Sequence, residues 1–71
     1  MPEANADIRV EGREIKFHAE KAMTVRLFSV DGSQQAAASG ADVTLVAPER
    51  GIYILNATDG QQGTTWKILV E

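Results

Sequence analysis

The chain has 71 residues, a formal net charge of -3, one histidine and no cysteine. A domain of this size buries only about 60% of the surface its unfolded chain exposes. With no disulfide framework and no metal-ligand spacing for support, its core must come from aliphatic and aromatic packing, aided if at all by a neighbouring domain or a second copy. The acidic balance and the scattered Lys and Arg exclude a phosphate-backbone partner, no apolar run has the length of a membrane-spanning helix, and the start lacks the basic-then-apolar order of a signal peptide.

Residues 1–6 are small and polar and read as a linker or junction, leaving 7–71 as one domain, the last of something larger. From there apolar residues recur at every second position in short stretches broken by turn residues, the signature of strands. Ile8 and Val10 alternate with Arg9 and Glu11, and Gly12 turns the chain. Ile15 and Phe17 then face away from Lys16 and His18. Val25 and Leu27 oppose Arg26 and Phe28, which places Phe28 under a loop or against a partner. Asp31-Gly32 reads as a tight turn in which both residues tolerate positive φ.

Ser33 to Ser39 is a weak strand, with a loop or a helical turn as the other readings of its three alanines. Val43 and Leu45 alternate with Asp42 and Thr44 until Pro48 stops them. Gly51 to Ala57 is the strongest strand, with Ile52 and Ile54 on one face and Tyr53, Leu55 and Ala57 on the other, so it should be central. In the last strand Trp66, Ile68 and Val70 point inward and Lys67 and Leu69 outward. Ile52, Ile54, Trp66, Ile68 and Val70 form the expected core of this closing hairpin. The pattern predicts an all-β fold, a small antiparallel Ig-like or Greek-key β-sandwich of about seven strands.

Catalytic chemistry is hard to place. His18 is the sole imidazole and lies on the polar side of its strand, where a surface role is the ordinary one. Ser29, Ser33 and Ser39 sit in or beside turns without a nucleophile-elbow pattern. Asp31, Asp42 and Asp59 are isolated in or beside turns, where Asp serves the backbone more often than a calcium ion. These features predict a chain that is not an enzyme and carries no cofactor or metal. Trp66 and Tyr53 could stack on a sugar, so a structural or carbohydrate-binding module stays open, although Trp66 shares its face with Ile68 and Val70.

Several stretches together resemble the C-terminal sorting domain of type IX secretion cargo from Bacteroidetes. These are VRLFSVDG, ERGIYILNA and WKILVE, preceded by DIRVEGREIKFH as an opening hairpin. The family's strand ending in a D-x-x-G or D-G turn is matched by Asp31-Gly32, its G-[IV]-Y-[IVL] strand by Gly51-Ile52-Tyr53-Ile54, and its K-[IV]-[IVL]-V segment by Lys67-Ile68-Leu69-Val70. Ser33 stands where the family usually has Arg or Lys after the turn glycine, and Ser29 stands where its four-residue turn opens with Asp.

The resemblance implies a secretion signal rather than a catalyst. It implies a larger cargo that passes the periplasm, meets the outer-membrane type IX translocon, and is freed by a sortase-like peptidase cutting upstream of the first strand. The cargo then ends at the outer membrane, on the cell surface or outside the cell. By the same resemblance Lys67, Ile68, Leu69, Val70 and Glu71, with Gly51 and Tyr53, are the residues the translocon reads, and Asp31 and Gly32 are a structural turn. An outward Leu69 near a sheet edge also predicts docking, or a homodimer through an edge strand.

Overall fold

The computed structural model describes residues 6–71. All regular structure there is β: β1 (Ala6–Glu11), β2 (Glu14–Ser29), β3 (Gln34–Val46), β4 (Gly51–Thr58) and β5 (Gly63–Val70). The strands are antiparallel and hydrogen-bonded into one sheet, in the order β1-β2-β4-β5 with β3 along the other side of β2. The linker expected over residues 1–6 lies outside the described residues except for Ala6, which opens β1 opposite Ala19.

Five strands stand where about seven were expected, because two pairs of expected strands are continuous. Residues 14–29 form one strand, with Glu20 and Lys21 at an irregularity rather than a turn, and residues 34–46 form another through Gly40. Between the pairs His18↔Asp42 and Met23↔Gly40, β2 places Ala19, Glu20, Lys21 and Ala22 against Ala41 alone. A one-residue slip flips every side chain to the other face, and this slip is odd. The inward set of β3 therefore switches from Ala36 and Ala38 to Val43 and Leu45, while β2 keeps one parity from Ile15 to Leu27. Gly40, at φ 144° in a region that side chains disfavour, sits at the switch.

The irregularity also curls the sheet. A straight strand of 16 residues would run about 50 Å, yet the molecule is 31 Å in its longest dimension. Val46 lies opposite Glu14 at the start of β2, and Tyr53 lies opposite Ser29 at its end. The residues 47–52 between Val46 and Tyr53 let them lie at most roughly 25 Å apart, about half the straight length, so the two ends of β2 approach each other. Ala47 N–H donates to Arg13 C=O at 2.8 Å and the Arg13 guanidinium to Pro48 C=O at 2.8 Å, fastening the link to the first hairpin.

The curl encloses the core. Ile15, Val25, Leu27 and Leu55 have no exposed surface, and Phe17, Leu45, Tyr53, Ile68 and Val70 are buried around them. No polar or charged residue is buried among the described ones. Phe17 meets Trp66 edge to face, with ring centroids 6.0 Å apart, which ties the first half of the sheet to the last strand. β4 is central as expected, but Ile52 and Ile54 are not its core face. Tyr53, Leu55 and Ala57 are buried, Ile52 is 43% exposed and Ile54 half-buried. Cross-strand partners share a side, so Tyr53 opposite Ile68 must point inward with it.

Candidate functional site

The turn after β2 differs in type from the one expected. Among the described residues none but glycine has positive φ, so Asp31 does not adopt it, whereas Gly32 does at 93°. Gly32 N–H donates to Ser29 C=O at 2.9 Å and Ser29 N–H to Ser33 C=O at 2.9 Å. This is a three-residue loop built on a turn from Ser29 to Gly32, closed by a left-handed glycine. The Ser29 hydroxyl and the Ser33 amide both donate to the Asp31 carboxylate and hold its pKa below the ordinary value. Ser29 opens this turn, a place Ser suits.

Gly51-Ile52-Tyr53-Ile54 and Lys67-Ile68-Leu69-Val70 pair with each other residue for residue: Gly51↔Val70, Ile52↔Leu69, Tyr53↔Ile68 and Ile54↔Lys67. Tyr53 also lies opposite Ser29, so the turn and both motifs meet at one corner of the sheet. Seven residues were singled out there, and they divide by exposure. Tyr53, Ile68 and Val70 are buried and Gly51 is half-buried, whereas Lys67, Leu69 and Glu71 are exposed, Leu69 by 56%. The Tyr53 hydroxyl donates to Glu49 C=O at 2.8 Å and accepts from Glu49 N–H at 3.3 Å. This bracket fixes the approach to β4. With Tyr53 buried and Trp66 edge-on to Phe17, the two rings do not form an open stacking platform.

The outer face of this corner carries two largely apolar rows, one of them ending on a cation. Ile52 lies beside Leu69, and Phe28, Ile54 and Lys67 lie in line across β2, β4 and β5. Phe28 is half-buried on that face. The strand positions 24–29, 34–40, 51–58 and 63–70 contain Arg26 and Lys67 and no carboxylate. Among the described residues neither cation has a salt-bridge partner.

Acidic groups concentrate elsewhere. On the outer face of the first half Asp7, His18 and Asp42 form one row across β1, β2 and β3. His18 Nδ1 bonds the Asp42 carboxylate, and that contact raises the imidazole pKa, with Asp7 and Glu20 adding to the effect. All three side chains are exposed, and His18 acts in a surface ion pair. Lys16 pairs with Glu11 at 3.0 Å. Asp59 accepts from Gln61 N–H and Gln62 N–H and pairs with Lys21 at 3.0 Å, which holds its carboxyl far below the ordinary value. Sequence reading missed this tie between the β2 irregularity and the β4–β5 loop. Its only traces were an acidic residue in a loop and a cation between two expected strands. Among the described residues no cluster of His, Cys, Asp or Glu is arranged to hold a metal.

Compared with protein-family models and with curated proteins, the chain matches none.

Proposed function

We propose that this chain is a sorting domain of the type IX secretion kind. It would be a non-enzymatic β module that directs a larger cargo through the periplasm to the outer-membrane translocon. The cargo would then be cut free by a sortase-like peptidase and left on the cell surface or outside the cell. The observation that carries the reading is the corner described above. Three motifs spread over some forty residues of sequence, Ser29 to Gly32, Gly51 to Ile54 and Lys67 to Val70, are direct neighbours in the sheet.

The residues divide into two tasks. Tyr53, Ile68 and Val70 hold the hairpin against the core, and Lys67, Leu69 and Glu71 present a fixed charge and an apolar side chain to the translocon. The Tyr53 hydroxyl reaching back to Glu49 has the form of the tyrosine corner of Ig-like sandwiches. It supports the finer reading of the curled sheet as a small Ig-like sandwich.

The experiment is a fusion of residues 1–71 to a folded passenger bearing an export signal, made in a bacterium that has a type IX translocon. The passenger is expected on the surface or in the medium. Lys67→Glu and Leu69→Asp should strand it in the periplasm without lowering the thermal stability of the domain. Normal delivery of both variants would remove the proposal.

A further inference from the structure

Sheet edges invite pairing with another chain unless they are short, charged, bulged or covered. β1 is six residues long and carries Asp7, Arg9 and Glu11, and β3 is broken by two register shifts against β2. β5 is longer, with Lys67 as its one charge and no register shift. Its eight pairs with β4, from Gly51↔Val70 to Thr58↔Gly63, run without a shift, and β4 is its only hydrogen-bonded neighbour among the described residues.

Backbone phase identifies which residues face the open side. Asp59 N–H donates to Gln62 C=O at 3.1 Å across the hairpin loop. Pairs that exchange backbone bonds alternate along an antiparallel ladder. The groups of Thr64, Trp66, Ile68 and Val70 therefore turn to β4, and those of Thr65, Lys67 and Leu69 turn to the free edge.

We propose that two copies of this chain pair antiparallel through this edge, across a twofold axis at Leu69. The segment Lys67-Ile68-Leu69-Val70-Glu71 is complementary to itself in that direction. Leu69 faces the partner's Leu69, Lys67 faces the partner's Glu71 at both ends, and Ile68 faces the partner's Val70 on the core side. Ile52, beside Leu69 on the outer face and 43% exposed, extends the apolar contact into a stripe of four side chains across the axis.

The other registers that use the free backbone groups lose the ion pairs. An axis at Ile68 sets Lys67 opposite Leu69 and Glu71 opposite Thr65, and one at Trp66 sets Lys67 opposite Thr65. An axis at Lys67 sets two ammonium groups opposite each other, and one at Thr65 leaves Lys67 opposite Gly63. Within these 71 residues the paired segment is five residues per copy, short of the roughly 800 Å² per partner of a standard stable interface. The pair is therefore weak and forms at high concentration.

The test is sedimentation equilibrium of the 71-residue chain over a series reaching the millimolar range. Wild type should show a monomer–dimer equilibrium. Lys67→Glu and Glu71→Lys should each weaken self-association at least ~10-fold, because each places like charges across the axis. An equimolar mixture of these two variants should associate, and the double exchange should restore self-pairing. Both positions are exposed, and an unchanged melting temperature shows that each variant is folded. A wild type that stays monomeric throughout, or association indifferent to the exchanges, overturns the proposal. Pairing would cover residues that the transport reading presents to the translocon, but it is measured on the chain alone, so its failure leaves that reading standing.

Discussion

Replacing Leu55 and Ile52 separately by Ala tests the face assignment of β4, on which the whole corner depends. Each change removes three carbon groups, worth about 0.8 kcal/mol apiece on full burial. Leu55 has no exposed surface and lies between Leu27 and Trp66 in the sheet. Its loss of about 2.4 kcal/mol is therefore complete, and a cavity cost raises it to roughly 3–4 kcal/mol. Ile52 keeps 43% of its surface in water, so its truncation costs at most about 1.4 kcal/mol and leaves no closed cavity.

A domain of this length has a total stability of about 4–11 kcal/mol, so the first change removes a large share of it. With a urea slope of about 1 kcal/mol per molar, the unfolding midpoint should fall by roughly 3 M for Leu55→Ala and about 1 M for Ile52→Ala. Trp66, the single tryptophan, reports unfolding by fluorescence, and far-UV circular dichroism checks it. Equal costs at the two positions would refute the assignment.

The His18–Asp42 pair should make stability depend on pH. The folded imidazole pKa is raised above its ordinary 6.5 by the Asp42 carboxylate. Its contribution is thus complete below about 6.5 and is lost as pH rises through the higher folded value. Melting temperatures of wild type and Asp42→Asn should converge across that window, and a constant gap would count against the pair. At the turn, Gly32 has positive φ and open space where a Cβ would point. Gly32→Ala should therefore cost roughly 1–2 kcal/mol from backbone strain alone, readable by urea unfolding; no cost would mean that the loop takes another form.

Much of the fold was legible in alternation. Val25 with Leu27 and Ile68 with Val70 repeat every second position, and all four are buried. Continuity of the long strands was not legible, because Glu20 and Lys21 resemble a break and Gly40 resembles a turn. Their role is to shift register, a relation between two strands that a single segment does not display. The inward face of β4 was hidden for a related reason. Both faces are apolar, and only pairing with β5 shows that Tyr53, rather than Ile52, lies beside Ile68.

At the candidate site, the motifs marked the corner but not the division of labour within it. Tyr53 looks available from sequence, yet its hydroxyl is bound to the backbone of Glu49. Lys67 and Leu69 were expected to point outward near a sheet edge, and the strand that carries them is an edge strand among the described residues.

The closing hairpin is proposed to serve both as core and as a transport signal. The most direct measurement is the surface fraction of a passenger fused to this chain, compared for wild type and Leu69→Asp at equal thermal stability. Wild type is expected at the surface, and Leu69→Asp in the periplasm with the domain still folded. Equal delivery of the two would contradict that role.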